Sequence, residues 1–596
     1  MHTQVCGFFN KFLYFCKQVA PHIIYLYTRA SPNYVTYSPA NDKARHMATT
    51  SKSPDYIIEV SWEVCNKVGG IYTVLSSRVK TLGSEYGDRL VFIGPDIWQE
   101  KDCDYFTEDA TLCPEWQAAA VKAGHSIRVG RWNVPGNPLA ILVDFSRYFQ
   151  EKDAIYGQAW ELFGVDSLHA YGDYDEASMF SYAAGRLVQT LAEKKLLKGH
   201  VVYQAHEWMT GLGMLFLKKA CPQVHTIFTT HATSIGRSIC GNDKQLYAYF
   251  EGYNGDQMAR ELNMEAKHSI EKQSAHQADC FTTVSTFTAR ECRQLLDKAP
   301  DVVLPNGFEK DFVPKGARFT AVRNKARRCI FDVVEALCGE TLSDYTLIVS
   351  TSGRNDFRCK GFDVYLEAMA QLNARLKNAG KQGTQVVSLI EVPCWVLGPR
   401  EDLRLRLEQV SEYGDNALSN PQLTHYLYNT DEDRILQMIR SLGLANQKDD
   451  PVKVVLVPCY LEGHDGIFNL PYYEILSAND LAIYPSYYEP WGYTPLEAIA
   501  FKIPTVTTDL SGFGQWVNGE LGRPGTLEDG VSVLHRDDSN YFDVASQIAS
   551  NVEVLIGLTK TKREAIRRKA AALAAKAEWK NFIAYYRQAY TVAMQK

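Results

Sequence analysis

The sequence contains no motif of the kind that binds structural zinc or exchanges disulfides. Its 14 cysteines are scattered along 596 residues, and no two of them stand in a C-x-x-C pair. Zinc ribbons and thioredoxin-like centres use that spacing, so both are disfavoured. In so long a chain the cysteines are best interpreted as buried, reduced side chains, which predicts a cytoplasmic protein.

Long apolar runs and an excess of basic residues are also absent. No uninterrupted apolar run reaches the roughly 18 residues of a transmembrane helix, so no membrane partner is expected. Lysine and arginine total 63 against 69 aspartate and glutamate, a net charge of −6. Because nucleic-acid binding needs a basic excess, no nucleic-acid partner is expected, although a local basic pocket for a small anion is compatible with this balance.

Aromatic residues, in contrast, are abundant. The chain carries 34 Tyr, 26 Phe and 10 Trp, together 12% of its residues. Aromatic faces suit sugar rings and bases, although most of these side chains are expected in the core. At about 100–200 residues per domain, the length suits two large domains.

From residue 55 onward, short apolar strands alternate with amphipathic helices, which indicates parallel α/β architecture. A boundary near 310 divides the strands into two series and predicts domains over 55–310 and 311–557. The charged span of about 395–450 favours helices and predicts a helical insertion in the second domain. Residues 558–596 should form C-terminal helices, and 1–54 should be a poorly ordered N-terminal extension.

The segment 485–497 carries the strongest local signal. A strand ends at Ser486, a tight loop with Glu489 follows, and a helix is predicted to start at Thr494. Thr494 and Glu497 have the T-x-x-E spacing of a capping box. The N–H groups at a helix start bind anions, and ligands of open α/β sheets bind at the carboxyl ends of strands. The segment therefore predicts a diphosphate site.

Three further segments stand at the ends of predicted strands. Arg354 and Lys360 lie on one Gly-bounded loop, where two cations suit a leaving diphosphate. His206 ends a buried strand and should face the cleft. Gly69 and Gly70 let the backbone approach a ligand closely, although they form neither G-x-G-x-x-G nor a P-loop. Taken alone, a basic loop is more often a solvated surface, and such a histidine is more often a structural hydrogen-bonding group than a catalyst.

Taken together, these segments resemble those of glycogen synthases of the animal and fungal type, over about residues 55–590. The resemblance implies an α/β GT-B fold, in which two Rossmann-like domains face each other across a cleft. It also implies transfer of glucose from UDP-glucose to the non-reducing end of an α-1,4-glucan such as glycogen, with retention of configuration. The segments that carry it are 63–72, 204–208, 229–237, 281–285, 304–307, 352–354, 486–495 and 510–514.

The resemblance gives four residues a part in catalysis. Arg354 and Lys360 match the pair that stabilises the departing phosphate, and Glu489 matches the catalytic glutamate. His206 matches a histidine that contacts the donor glucose. Since these cations supply the charge that a metal gives other transferases, no metal or other cofactor is expected.

The resemblance also implies a substrate-binding set. Glu497 would hold the ribose hydroxyls, and Tyr472 would stack on uracil, with Tyr473 as a register alternative. Trp491 and Tyr493 are expected to frame the nucleotide sugar. The full set is Lys67, Gly69, Gly70, Arg237, Asn306, Tyr472, Gly492, Tyr493, Thr494 and Glu497.

Regulation and assembly are only partly matched. His276, Arg563 and Arg567 fall on positions of the family's glucose-6-phosphate site, but Asp279 stands where a second histidine is expected. We therefore expect a constitutive enzyme. The 395–450 insertion resembles the region through which family members form tetramers, so a homotetramer is expected. A priming protein is compatible with the sequence, but nothing in it identifies one.

Two other functions stay open from the residues alone. A different GT-B transferase, of the sucrose or trehalose type, would share much of the donor site. A catalytically silent glycogen-binding or assembly subunit is the other alternative, although Glu489, Arg354 and Lys360 are all present. The preference for UDP over ADP rests on the resemblance, since no base-reading residue follows from the sequence.

Overall fold

Two separate, mainly parallel sheets organise the structure. It is a computed structural model and describes residues 53–98, 103–408 and 416–596. Their strands are short runs of buried, mostly apolar residues, as is typical of parallel strands covered by helices on both faces. Apart from positions 53 and 54, the extension predicted over 1–54 lies outside the described residues.

The first sheet has nine strands and belongs to the N-terminal half. They are β1 (Tyr56–Val60), β2 (Leu90–Pro95), β3 (Phe106–Glu108), β4 (Ile127–Trp132), β5 (Leu139–Val143), β6 (Val201–His206), β7 (Val224–Thr230), β8 (Cys280–Thr283) and β9 (Val302–Val303). Their spatial order is β3-β4-β5-β2-β1-β6-β7-β8-β9. Strand β4 is antiparallel to both neighbours, and the other pairs are parallel. The strand order reverses between β1 and β6, so a ligand crevice is expected at their carboxyl ends.

Nine helices accompany this sheet in the part of the chain that the structure describes. They are α1 (Gly70–Tyr86), α2 (Pro114–Lys122), α3 (Lys152–Phe163), α4 (Tyr174–Glu193), α5 (Gly211–Ala220), α6 (Ser234–Gly241), α7 (Gly255–Glu261), α8 (Glu265–Gln277) and α9 (Thr286–Leu295).

The second half contributes eight strands. They are β10 (Leu347–Ser352), β11 (Val386–Glu391), β12 (Val396–Pro399), β13 (His425–Leu427), β14 (Val452–Val457), β15 (Leu481–Tyr484), β16 (Thr505–Thr508) and β17 (Val531–Leu534). Six of them form an all-parallel sheet in the order β14-β11-β10-β15-β16-β17, which reverses between β10 and β15. The carboxyl ends of these two strands therefore form the second expected crevice.

Ten more helices are described in this half. They are α10 (Gly316–Cys338), α11 (Phe362–Asn378), α12 (Glu401–Glu408), α13 (Arg434–Ser441), α14 (Tyr472–Ala478), α15 (Tyr493–Ala500), α16 (Gly512–Leu521), α17 (Tyr541–Gly557), α18 (Lys560–Lys576) and α19 (Trp579–Ala593). No helix among the described residues has the length and apolar character needed to cross a membrane.

The insertion predicted as helical over 395–450 is more varied than expected. It contains α12 and α13, but β12 and β13 pair as a separate antiparallel ribbon. Because a ribbon of strands this short has too few residues to show a clear period of two, the helical composition around it dominated the prediction.

The residues just before Glu489 join the two halves. The hydroxyl of Tyr487 accepts from the N–H of Leu246 (2.9 Å), and the hydroxyl of Tyr488 donates to the carboxylate of Glu291 (2.7 Å). The hydroxyl of Tyr247 donates to the carbonyl of Tyr487 (2.8 Å). The loop that carries the predicted catalytic glutamate is therefore fixed against the first half.

The C-terminal helices return to the first half. Helix α18 packs on α15, whereas α19 packs against α1 and the strands β7, β8 and β9. The indole of Trp579, at the start of α19, donates to the hydroxyl of Ser77 in α1 (2.8 Å). The last helix therefore completes the core of the N-terminal sheet.

Candidate active site between the two sheets

Lys360 and Glu489 form an ion pair at the carboxyl edge of the second sheet. Lys360 lies on the loop after β10, and Glu489 lies on the loop after β15, the neighbouring strand. The Nζ atom of Lys360 is 2.5 Å from Oε2 of Glu489, and the two side chains are 19% and 14% exposed. The structure thus joins two residues that the sequence placed on separate loops.

Arg354 lies on the same loop as Lys360 but extends toward solvent. Its side chain is 56% exposed and pairs with Asp356 (2.9 Å). Its charge also reaches Glu63 in the first half: burial raises the pKa of Glu63, and Arg354 and Arg237 act to lower it. Arg354 therefore faces the crevice of the first sheet, where a ligand phosphate could replace Asp356 as its partner.

The start of α15 corrects the predicted capping box. Gly492, in the left-handed region at φ 110°, is the N-cap, and Tyr493 begins the helix. Thr494 makes no capping bond because the helix begins one residue before it. The carboxylate of Glu497 accepts instead from the hydroxyl of Tyr473 (2.9 Å), so it does not close the box.

The N–H groups at the start of α15 are available to a ligand. Within the described chain, no group accepts a hydrogen bond from the N–H of Gly492, Tyr493 or Thr494. A helix N-terminus with free N–H groups attracts anions through these donors and the helix dipole. The predicted anion site is therefore present, although its geometry differs from a Thr-capped start.

Glu497 is buried beside this helix start. Burial raises its pKa to about 7, although the Tyr473 hydroxyl and the charge of Lys67 act in the opposite direction. Lys67 belongs to the loop before α1, so this interaction crosses between the two halves. Tyr472 lies next to Tyr473, and its hydroxyl is 3.0 Å from the Ser352 hydroxyl at the end of β10.

The glycine loop of the first half is held by Glu63. Its Oε2 atom accepts from the N–H of Gly69 (2.8 Å) and of Tyr72 (2.7 Å). A Cβ atom at Gly69 would lie only 3.1 Å from Glu63, whereas one at Gly70 would meet nothing within 4 Å. A side chain at position 69 would therefore crowd the carboxylate that holds the loop, whereas Gly70 borders open space that can admit a ligand.

His206 belongs to a buried chain of charged and polar side chains. Its Nε2 atom is 2.7 Å from Glu59 at β1, and its Nδ1 atom is 3.0 Å from Nε2 of His231. Glu59 in turn pairs with Arg78 of α1 (2.6 Å), and both side chains are fully buried. The sequence analysis missed Glu59 and Arg78, although a glutamate inside an apolar strand is a signal of such pairing.

The protonation of this chain follows from burial and charge. Burial raises the pKa of Glu59, but Arg78 and His206 outweigh it and leave that pKa lowered, so Glu59 is ionised. Burial lowers the pKa of His206 and of His231, so both rings are neutral. The Nε2–H of His206 therefore donates to Glu59, and its Nδ1 accepts from His231. Since both nitrogens are engaged, the contact of His206 with a donor sugar stays a prediction.

Glu207, directly after His206, has a strained backbone. Its φ of 67° and ψ of 168° fall in a region that is almost exclusive to glycine. Its carboxylate accepts from the N–H groups of His231 (2.9 Å) and Ala232 (3.2 Å), which hold this conformation. Burial raises the pKa of Glu207 to about 8, and Arg237 opposes that shift. Strain of this kind concentrates at functional sites.

The remaining predicted positions divide into two groups. Asn306 is buried and its Oδ1 atom has no hydrogen-bond partner among the described residues, so it can accept from a ligand. Trp491 is also buried, but its ring meets Phe582 of α19 edge-on at 6.2 Å. Tyr493 is partly buried, and its ring lies near Tyr586 of the same helix. Both rings lie beside α19, and their expected contact with a nucleotide sugar stays a prediction.

The residues predicted for an allosteric site are not joined. The exposed ring of His276 contacts the carbonyl of Leu296 in the first half (2.8 Å). Arg563 donates to a carbonyl of α17 (3.0 Å), and the buried Arg567 donates to the carbonyl of Asn479 (3.3 Å). In the described part of the chain, no hydrogen bond or ion pair connects His276 with either arginine.

Comparison with known proteins assigns the family. A family model described as Glycogen synthase matches residues 59–396 and 407–596. The chain belongs to the glycogen synthase family. It is 29% identical to the liver glycogen [starch] synthase of Rattus norvegicus and 30% identical to the glycogen [starch] synthase of Neurospora crassa. Both alignments cover 91% of this chain, and they cover 83% and 84% of the relatives.

A solved structure supports the fold. The catalytic domain of starch synthase IV from Arabidopsis thaliana, bound to ADP and acarbose, superposes with a TM-score of 0.52 at 15% identity. The match covers 91% of this chain and all of that domain. The predicted GT-B fold is therefore confirmed, and glycogen synthase membership makes this chain a glycosyltransferase.

Proposed function

We propose that the protein transfers glucose from UDP-glucose to the non-reducing end of an α-1,4-glucan such as glycogen, with retention of configuration. The observation that carries this proposal is the Lys360–Glu489 pair, which stands beside the free N–H groups of α15 at the carboxyl edge of the second sheet. The names of the curated relatives in rat and Neurospora crassa support the choice of substrates.

The chemistry of the site fits departure of a nucleoside diphosphate. As the bond to the sugar breaks, negative charge builds on the diphosphate and positive charge on the anomeric carbon. Lys360, Arg354 and the start of α15 offer donors and positive charge to the diphosphate, and the carboxylate of Glu489 stabilises the oxocarbenium-like sugar. Because these groups supply the charge required, the proposed reaction needs no metal or other cofactor.

Measurements of donor preference and acceptor preference together test the proposal. Initial rates with UDP-glucose and ADP-glucose on glycogen should show the UDP donor to be preferred. NMR of the product should show new α-1,4 linkages. Preference for fructose or glucose-6-phosphate as the acceptor would instead identify a sucrose- or trehalose-type transferase. Absence of transfer together with tight glycogen binding would identify a silent binding subunit.

We also propose that the enzyme works in the cytoplasm as a homotetramer. The described cysteines, 12 in number, are all unpaired, which agrees with a reducing compartment. The insertion over 395–450 supplies α12 and α13 for contacts between copies. Light scattering on the purified protein measures the mass and tests the tetramer directly.

Donor affinity should depend on the ionisation of Glu497. Its pKa, raised to about 7 by burial, leaves the carboxyl protonated below that pH and charged above it. Only the charged form accepts hydrogen bonds from both ribose hydroxyls, so the KM for UDP-glucose should rise as the pH falls from 8 to 6. Glu497→Gln should raise that KM about tenfold at pH 8 and remove its dependence on pH. An equal pH dependence in Glu497→Gln and in the unaltered enzyme would contradict this assignment.

Glucose-6-phosphate should leave the activity essentially unchanged. Asp279, which replaces an expected histidine, pairs with Lys218 (2.7 Å) and adds negative charge where a phosphate would need cations. Asp480 accepts from Arg323 (2.6 Å), and its negative charge also acts on Arg567. The guanidinium of Arg567 therefore already has an anionic neighbour. Titration of glucose-6-phosphate at low UDP-glucose checks the expectation, and activation of about tenfold or more would contradict it.

A further inference from the structure

An exposed aromatic face covers the small ribbon of the insertion. Trp395 is 85% exposed, Leu397 62%, Tyr426 44% and Tyr428 70%. These four side chains are here called the ribbon face. Large apolar side chains grouped on a surface in this way mark a site of interaction, whereas singly scattered ones do not.

The pairing of β12 with β13 places the four side chains together. Val396 lies opposite Leu427, and both pack toward the core of the second half. Side chains alternate along a strand, so Tyr426 projects to the face opposite Leu427. Leu397 lies where the register shifts between Val396 and Gly398, and Trp395 and Tyr428 directly adjoin the ends of the two strands. The N–H of Tyr428 donates to the carbonyl of Trp395 (3.1 Å), so the backbones of these two residues are paired.

The ribbon face borders the loop 353–361 that carries Arg354 and Lys360, here called the donor loop. Strand β12 follows β11 at the same carboxyl edge that carries Lys360, and the amide of Asn355 contacts the Sγ atom of Cys394 (3.3 Å). After β13, Arg434 lies over the ring of Phe357 on the donor loop (4.6 Å) and is 3.7 Å from Asp243 of the first half. The ribbon therefore stands where the two halves meet, beside the proposed site of transfer.

We propose that the ribbon face binds a stretch of the α-1,4-glucan acceptor some distance from the end that receives glucose. This inference rests on the proposed function, whose acceptor is a polymer longer than the transfer site. Pyranose rings present apolar C–H faces that pack on flat aromatic rings, and the hydroxyls of Tyr426 and Tyr428 are available to the sugar hydroxyls. Trp395 and Tyr428, whose backbones are paired, provide two exposed rings for consecutive glucose units.

A second copy of the chain fits this face less well. A stable interface between proteins buries about 800 Å² on each partner. Even at about 250 Å² for each side chain, the exposed fractions of these four residues leave less area than that.

The double variant Trp395→Ala/Tyr428→Ala tests the proposal. It should raise the KM for glycogen and the dissociation constant in glycogen-containing gels about tenfold, as loss of aromatic anchors does in other interfaces. The KM for UDP-glucose and the turnover on a maltotriose acceptor should not change. The matched control is Trp160→Ala/Tyr345→Ala, which removes a tryptophan and a tyrosine that are 60% and 90% exposed elsewhere.

Each outcome decides the question. Glycogen affinity equal to that of the control variant overturns the proposal. A changed molar mass of the ribbon variant in light scattering also overturns it and assigns the face to contact between copies. If the unaltered enzyme transfers no glucose, the proposed function fails, and the gels still show whether the ribbon face binds glycogen.

Discussion

Replacing Lys360 by alanine should lower the turnover number about 100- to 1,000-fold, the range found when one donor to developing negative charge is removed. In the structure Lys360 lies against Glu489 at 2.5 Å, where its charge can serve both the departing diphosphate and the carboxylate. Its loss removes stabilisation that is made in the transition state, so the KM for glycogen should change little. Steady-state kinetics with both substrates, together with glycogen gels, measure the two effects.

The control for this variant is Lys377→Ala. Lys377 is also paired with a carboxylate, that of Asp450 (2.7 Å), but it lies on α11 outside the site. Its replacement should leave the turnover unchanged. If Lys360→Ala retained turnover near that of the control, the role of Lys360 at the phosphate would be wrong.

The Arg78→Met variant should lose about 3–5 kcal/mol of unfolding free energy, the usual cost of removing one partner of a buried ion pair. Arg78 and Glu59 are fully buried, so the substitution leaves the charge of Glu59 without its main partner. The guanidinium also lies 4.1 Å from the ring centre of Tyr586, which adds a cation–π contact with α19. Urea unfolding followed by fluorescence measures the loss.

Two further variants separate charge from packing. Glu59→Gln/Arg78→Met removes the stranded charge and should recover part of the lost stability. Arg131→Met breaks an ion pair with Asp88 whose side chains are 30% and 59% exposed, and should cost about 1 kcal/mol or less. Equal losses of unfolding free energy in Arg78→Met and Arg131→Met would show that the buried pair contributes no more to stability than the exposed pair.

Much of the fold could be predicted because parallel strands are continuous apolar runs. The strand Val452–Val457 is such a run apart from Lys453, and it is buried along its whole length. The ribbon of β12 and β13 escaped prediction because its strands are only 4 and 3 residues long. Strands of that length are fixed by what they pack on, and a single sequence does not contain that information.

The candidate site, like the fold, could be predicted only in part. Lys360 and Glu489 could be placed at one edge because both follow strands of a parallel sheet, whose carboxyl ends meet there. The capping box failed because Glu497 had a second possible partner, the hydroxyl of Tyr473, which lies 24 positions away in the sequence. Competition between a local and a distant hydrogen bond is decided by tertiary packing, so local spacing alone could not resolve it.

The return of α19 to the first sheet sets the order in which the protein can mature on the ribosome. Trp579 contacts Ser77 across 502 positions, and α19 as a whole covers α1 and three strands of the N-terminal sheet. The N-terminal half therefore emerges long before the helix that seals it is synthesised. Contacts so distant in sequence form slowly, and the uncovered apolar surface is prone to aggregation in the meantime. The first domain is thus complete only after α19 has been synthesised and has packed against it.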